Sequence, residues 1–468
     1  MKKMYSLHSK IAIITEQGEQ ITYSKLFELM KLYLLYPTDV KNCLVVVVCD
    51  NSLANICIYL SYMKEKIPMI LVDASEYSQL SKLVDDFAVD AIWSPVRIEY
   101  ISGFVLKYEI GQYAYYERGE RLSENYINPK IALLLSTSGS EGENKFVVLS
   151  YENIYSNTLA IVSALKISRT DRAAIMLPIC YSYGLSIINT HLYMGATLLL
   201  PNTSIVQLEF WKFMDNNNVT SLATVPHGYE YIRKMKLLET KFSFKYLRML
   251  TQAGGALRIE TQKYYLKLCK RRFQGAHIVI MYGQTEATAR ISSFFLDENE
   301  SKMGSVGKVI PKGKLWILGD GNEGEIYYEG ANVFWGYAKD IDDLKKIMPS
   351  NGILNTGDVG YLDKDGFLYI TGRKKRIAKI NGYRVGLDAL QKELSDKIGC
   401  EIVCVAVQDY EKECIEIFWD DPNILQYRIK LVMDSKLKLK GGWRLKYVEK
   451  FPYKYNGKID YTNLSCNC

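Results

Sequence analysis

In the N-terminal half of the chain, short runs of β-branched and apolar residues alternate with longer amphipathic stretches, at 44–48, 54–63, 69–72, 79–87 and 91–93. This alternation predicts βαβαβ, and a run as uniformly apolar as Val45-Val46-Val47-Val48 belongs to a strand covered on both faces. A mostly parallel sheet wrapped in helices follows. The pattern resumes with a helix from Tyr151 to about Leu165, a strand over 174–177, a helical run near 187–194 and a strand over 197–200. Further strands over 222–225, 247–251 and 277–281 each run into a loop of unusual composition. Ligands of open α/β sheets bind beyond the carboxyl ends of the strands, so these loops are where a site is expected.

After Gly304 the texture changes. Strands over 314–318, 325–328 and 367–370 are set off by Gly319-Asp320-Gly321-Asn322 and Lys364-Asp365-Gly366, turn sequences that read as hairpins. The basic run Arg373-Lys374-Lys375-Arg376 then leads into a last segment with its own helix near 388–398 and strand over 402–408. A chain of 468 residues exceeds one core. The expected fold is therefore α/β. Residues 1–374 form a large domain of helix-covered, mostly parallel sheets with a small β-barrel-like part, and residues 375–468 form a small α+β domain. The basic run suits an interdomain hinge better than a nucleic-acid patch, because no aromatic-and-basic groove surrounds it.

Composition narrows the class. With 48% hydrophobic and 24% charged residues the chain reads as globular and soluble, and its +7 charge fits an anionic substrate, an acidic partner or plain solubility. The apolar run 11–14 is too short for a signal-peptide core, and the run 185–200 is broken by Asn189 and His191, so no membrane insertion is expected. Ten scattered cysteines form no framework. Cys466 and Cys468 lack further ligands nearby and read as thiols on a loose tail. These features place the protein in the cytoplasm.

Between Leu133 and Ser150 an apolar run opens into Ser136-Thr137-Ser138-Gly139-Ser140-Glu141-Gly142 and closes on Lys145 before Phe146-Val147-Val148-Leu149. Glycines let backbone N–H groups converge on an anion, the hydroxyls add donors, and the lysine adds charge. Alone, this stretch reads better as an ordinary polar strand-to-helix loop. It is not a Walker A loop, because Asn144 precedes the lysine and Phe146 follows it. Downstream, Gln252-Ala253-Gly254-Gly255-Ala256-Leu257 puts a glycine pair after a strand, which permits close approach to a flat ligand or simply a tight turn. In Met281-Tyr282-Gly283-Gln284-Thr285-Glu286, an aromatic ring, a hydroxyl and a carboxylate suit a base, a phosphate oxygen and Mg²⁺, respectively, although a capped helix start with Thr285 or Glu286 serving the backbone explains part of the pattern. The aspartate of Asn355-Thr356-Gly357-Asp358 can accept two ribose hydroxyls, though alone the stretch reads as a hairpin turn.

Taken in series with Pro452-Tyr453-Lys454-Tyr455-Asn456-Gly457-Lys458-Ile459-Asp460, these stretches resemble the acyl-adenylate-forming superfamily of acyl-CoA synthetases, luciferases, carrier-protein ligases and peptide-synthetase adenylation domains. The resemblance implies ATP-dependent activation of a carboxylic acid as acyl-AMP, with release of pyrophosphate and transfer to the thiol of CoA or of phosphopantetheine on an acyl carrier protein. It assigns Lys458, Glu286 and Thr285 to catalysis, with Glu286 holding Mg²⁺. ATP is expected on Thr137, Ser138, Gly139, Ser140, Gly142, Lys145, Gly254, Gly255, Ala256, Tyr282, Gly283, Thr285, Asp358, Arg373 and Lys458. Tyr183, Gly184, His227, Gly254 and Gln284 are expected to line the acid pocket. Lys375 is the pivot about which the small, mobile C-terminal domain swings, and Lys379 and Gly382 then line the thiol tunnel. The Asn-Gly-Lys-Ile-Asp form tilts the acceptor towards a carrier.

The phosphate loop departs from the family, which usually has Thr at Glu141, Pro at Asn144 and Gly at Phe146. A non-catalytic member that binds nucleotide or an acyl group therefore remains a second reading. In Leu177-Pro178-Ile179-Cys180-Tyr181-Ser182-Tyr183-Gly184, no acid stands where amino-acid-activating relatives pair the substrate ammonium. A fatty, aryl or similar acid is favoured over an α-amino acid, whose ammonium would be left uncompensated; an amino acid–carrier protein ligase is the remaining alternative.

Overall fold

The structure, a computed structural model, describes residues 7–37, 43–98, 101–119, 127–136, 145–239, 242–319, 321–374, 376–380, 383–409, 412–436, 439, 441–454 and 457–466. Two large sheets dominate it. One runs in the order Lys308–Val309, Ser292–Phe295, His277–Tyr282, Met249–Gln252, Ser221–Thr224, Arg172–Ala174, Thr197–Leu200, Ile11–Thr15, Gln20–Thr22. The other runs Gly336–Ala338, Phe146–Ser150, Ile131–Ser136, Met69–Asp73, Val45–Cys49, Ala91–Ser94, Tyr113–Arg118, Phe104–Ile110. Parallel pairs fill the centre of each, and antiparallel pairs close the edges.

The apolar runs are explained by what lies on each face. Val45 and Val47 enter a core shared with Ile13 and Leu198 of the other sheet, and the helices Tyr23–Leu32, Leu53–Glu65, Tyr151–Leu165 and Ser182–Met194 fill the layer between. Val46 and Val48 face outward onto Val84 and Phe87. Ile14 and Leu199 face outward from their own sheet, into a core with the helices Leu208–Asn216, Pro226–Lys234 and Ile259–Arg272. With both faces buried, strands such as Val45–Cys49 are apolar at nearly every position.

A four-stranded antiparallel sheet, Lys314–Leu318, Gly324–Glu329, Ile353–Leu362 and Leu368–Arg373, packs its core on Tyr282, Ala287 and Ile291 at the end of the first large sheet. Beyond residue 376 the chain builds a hairpin, Ile377–Ile380 with Tyr383–Gly386, and a three-stranded sheet, Ile402–Asp409, Lys412–Trp419 and Trp443–Tyr447. The helix Leu387–Ile398 covers this smaller domain, and its cores draw on residues from Ala378 to Leu464 alone. Among the described residues no helix is long and apolar enough to cross a membrane.

Three local differences from the sequence reading matter for the site. The strand expected over 174–177 is Arg172–Ala174, because Asn51 takes the backbone that follows. Its side chain donates to Leu177 O and accepts from Ile179 N, both at 3.1 Å, turning the chain out of the sheet. The helix expected near 187 begins at Ser182, so Tyr183 and Gly184 lie in its first turn. The hydroxyl-rich loop joins two antiparallel strands, with Ser136 paired to Phe146, and does not open a helix. Phe146 is accordingly a strand residue, buried edge-on against Phe87 with ring centroids 5.3 Å apart.

Candidate active site

The helix Tyr151–Leu165 starts the moment the strand Phe146–Ser150 ends, because Ser150 and Asn153 cap it reciprocally. Asn153 also donates to Ala331 O and Val333 O, both at 2.8 Å, which fixes the segment leading to Gly336–Ala338. That short strand pairs with Phe146–Ser150, Tyr337 opposite Val147. The ammonium of Lys145 therefore lies 4.1 Å from the centre of the Tyr337 ring, and the Tyr337 hydroxyl donates to Glu286 Oε1 at 2.7 Å. One tyrosine links the lysine that closes the phosphate loop to the carboxylate assigned to the metal. Residues 137–144, with Thr137, Ser138, Gly139, Ser140, Glu141 and Gly142, lie outside the described residues.

Strand His277–Tyr282 delivers the signature that follows it. Tyr282 OH donates to Asp358 Oδ2, and Arg373 Nε, directly across the ladder, donates to Asp358 Oδ1 at 3.1 Å. Burial raises the Asp358 carboxyl above its ordinary value, against the opposing pull of Arg373 and Tyr282. A Cβ at Gly283 would stand 2.0 Å from Ala289 O, so glycine alone admits this turn. Gln284 Nε2 donates to Thr356 O at 3.2 Å. Thr285 Oγ1 lies 3.3 Å from Ser182 Oγ, at the start of the helix that carries Tyr183. Among the described residues no three His, Cys, Asp or Glu side chains gather as a metal cage. Glu286 as a lone carboxylate fits Mg²⁺, which takes one or two protein carboxylates and completes its shell with phosphates and water.

Gly254, at φ +87°, begins the glycine turn, and a Cβ there would meet Tyr181 OH at 2.7 Å and Val225 Cγ1 at 3.3 Å. Gly255 packs on Pro226 and its carbonyl accepts from Gln252 Nε2 at 2.7 Å, leaving Gly255 and Ala256 exposed. The Tyr183 hydroxyl is anchored at 2.9 Å on the backbone oxygen of Thr251, and its ring stands edge-on to Tyr181. Gly184 fits against Pro178 O, which a Cβ would approach to 2.3 Å. His227, equally readable from sequence as a pocket or a packing residue, has its ring against Tyr453 of the smaller domain, centroids 3.9 Å apart, and burial with Lys234 and Lys450 nearby holds its pKa below the usual value.

Lys458 sits on a turn closed by Lys454 N to Lys458 O and Gly457 N to Lys454 O, each 2.8 Å. Gly457 has φ +73°, and a Cβ there would reach within 2.6 Å of Val225 Cγ2, so the turn rests directly on the large domain. Its ammonium lies 5.9 Å from the centre of the Tyr181 ring. The residue keeps partial exposure, but its ammonium is densely surrounded, and burial followed by repulsion from Arg373 lowers its pKa from 10.5 to about 8, against attraction by Glu286 and Asp358. Lys458, Glu286, Asp358 and Arg373, separated by up to 172 positions in the chain, are thus electrostatic neighbours. Lys379 is exposed on the strand Ile377–Ile380, its backbone N–H donating to Glu413. Lys375 and Gly382 lie outside the described residues.

The sequence reading did not pick out Tyr337 or Arg290 as site residues. Tyr337 gains its place from ladder pairing with a strand far away in sequence, for which no local pattern exists.

The model of the family described as AMP-binding enzyme matches residues 39–338. Luciferin 4-monooxygenase of Photuris pensylvanica is 25% identical over 71% of this chain and 63% of its own length. Oxalate–CoA ligase of Arabidopsis thaliana is 30% identical over 54% of this chain and 50% of its own, and 2-succinylbenzoate–CoA ligase of Bacillus cereus 28% over 56% and 54%. The matches thus span between half and two thirds of these curated relatives. Among solved structures, o-succinylbenzoate CoA synthetase from Bacillus subtilis in complex with its acyl-adenylate intermediate superposes with a TM-score of 0.78 at 20% identity, covering 99% of this chain and 97% of the other. It shares the fold.

Proposed function

The chain belongs to the AMP-binding enzyme family, and from that membership we propose that it activates a carboxylic acid as acyl-AMP and passes the acyl group to a pantetheine thiol. The observation that carries this reading is the convergence of Lys458 with Glu286, Asp358 and Arg373. An ammonium held among groups suited to a ribose, a metal and a phosphate is placed for the reaction's developing charge.

In the first step a carboxylate oxygen attacks the α-phosphorus of ATP, and the bond to the pyrophosphate oxygen breaks. Lys458 donates hydrogen bonds to the α-phosphate oxygens as negative charge gathers there, a contact whose value lies in being made before the reaction begins. Asp358 and Arg373 hold the ribose, and the turn from Gly254 to Ala256 lies along the base. Bound with the nucleotide through Glu286, Mg²⁺ supplies charge neutralisation at the phosphates. In the second step the thiol sulfur attacks the acyl carbonyl, AMP leaves, and the thiol proton passes to solvent.

The two steps need different partners at one place. The smaller domain, residues 375–468, pivots near Lys375, withdrawing Lys458 and bringing Lys379 and Gly382 to the adenylate. Relatives named as CoA ligases favour CoA as the acceptor. Eight cysteines are free thiols among the described residues, which suits a reducing compartment such as the cytoplasm.

The test is ATP–pyrophosphate exchange against fatty, aryl, hydroxy, amino and dicarboxylic acids, with Lys458→Ala alongside. Exchange with one class, lowered roughly a hundredfold or more in the variant, supports the reading. ATP binding without exchange for any acid would instead identify a nucleotide-binding protein that does not turn over.

A further inference from the structure

Arg290 lies just past the turn that carries Glu286 and is 2% exposed. Its Nε and Nη1 are shut off from solvent and have no hydrogen-bond partner, and no carboxylate pairs with it among the described residues. The Tyr183 ring, 4.9 Å from Cζ, covers one face of the guanidinium. A ring face answers part of the charge but none of the N–H donors at the guanidinium edge. Donors left unmade in a dry site are expensive, and proteins retain them where they serve recognition.

The backbone beneath is held in place. Arg290 O accepts from Asn157 Nδ2 at 3.2 Å and Asn332 Nδ2 at 3.0 Å. Thr288 and Ala289 take φ values of 57° and 118°, a region that residues with a Cβ rarely adopt. The guanidinium is also close to the proposed chemistry. Its partner ring Tyr183 stands 6.4 Å from Tyr181, centroid to centroid, and Tyr181 in turn is the ring over which Lys458 sits and towards which Gly254 opens. Two tyrosines form one wall with the reacting ammonium at one end and Arg290 at the other.

We propose that the acid activated here carries a second carboxylate, remote from the reacting one, and that Arg290 receives it. The proposal rests on the adenylation reading above and narrows its substrate to dicarboxylic acids. A guanidinium offers a planar fork matched to a carboxylate. The methyl end of a fatty acid, or an unsubstituted aryl ring, would press against unpaired donors instead.

Matched pairs test it: hexanoate against adipate, octanoate against suberate, and benzoate against phthalate, in pyrophosphate exchange with wild type, Arg290→Met and Arg290→Lys. Wild type is expected to favour the diacid of at least one pair by on the order of a hundredfold in kcat/KM, the scale for a buried charge pair. Arg290→Met should lose that preference by falling on the diacid alone, and Arg290→Lys should keep part of it. Preference for the monoacid in every pair would overturn the proposal and leave adenylation standing. So would an equal loss on both members in a folded Arg290→Met, which would make Arg290 a packing residue. Should no acid support exchange, calorimetric titration with the same pairs decides. Diacid binding abolished in Arg290→Met keeps the assignment, and no diacid binding overturns it.

Discussion

Raising the pH past about 8 should remove the first half-reaction, and the reason lies in how Lys458 is held. Burial, with Arg373 adding repulsion, lowers its pKa from 10.5 to about 8. That interval corresponds to roughly 3 kcal/mol, the cost of keeping an ammonium at this position before nucleotide arrives. Because the folded value lies below the unfolded one, the cost is fully present below pH 8 and is relieved as pH rises towards 10.5, where the folded chain has already lost the proton. Relief is also loss of function, since the neutral amine cannot meet phosphate charge. One pH unit above 8 leaves about a tenth of the lysine charged, so kcat/KM for ATP should fall about tenfold per unit on that limb. Bound ATP brings negative charge to the ammonium and raises its pKa again. The matching limb in kcat should therefore appear at higher pH. Pyrophosphate exchange at subsaturating ATP, from about pH 6 to 10, measures the limb. Lys458→Arg stays charged throughout, and whatever activity it retains should lack the limb. A flat wild-type profile, or the same limb in the arginine variant, would show that the charge on Lys458 is not what the reaction uses.

Tyr337→Phe removes the 2.7 Å bond to Glu286 while leaving a ring for Lys145. The Mg²⁺ concentration for half-maximal exchange should rise roughly tenfold, as for other residues that orient a metal ligand, and an unchanged Mg²⁺ dependence would detach Glu286 from the metal. Gly457→Ala forces a Cβ into both a left-handed φ and Val225. It should lower adenylation at least about tenfold by displacing Lys458, yet spare thiol transfer from supplied acyl-AMP; equal losses in the two assays would argue against a separate use of this turn. Asp358→Asn leaves Tyr282 and Arg373 without their carboxylate and should weaken AMP binding by roughly 1–3 kcal/mol, measured by calorimetry. Full AMP affinity in that variant would remove Asp358 from the nucleotide site.

Much of the large domain could be read from the sequence because each buried strand carries its own evidence. Val45 to Val48 alternate between two cores, so a run without polar residues has one explanation. The hairpins after Gly304 were equally plain, since their turns hold the residues that tight turns need. Where the reading slipped, a partner distant in sequence had overridden local preference. Asn51 ends a strand early, and the pairing of Ser136 with Phe146 makes a hairpin of what looked like a strand-to-helix loop. Among the candidate site residues, Tyr282, Glu286, Asp358, Arg373 and Lys458 stood in short motifs and could be nominated one by one. His227 could not be assigned its neighbour that way, because Tyr453 comes from the other domain. Arg290 was invisible for a related reason: arginine in sequence reads as surface, and only its burial among tyrosines gives it meaning.

Val225, Pro226 and His227 form a partition with two tenants. On one side Val225 and Pro226 back the glycine turn at Gly254 and Gly255; on the other Val225 receives Gly457 and His227 receives Tyr453. A ligand that shifts this partition therefore alters the seat of the smaller domain, and linkage requires that seating the domain alter the ligand's affinity by the same factor. Under the proposed function, loading the pocket and closing over it would then be coupled through one wall.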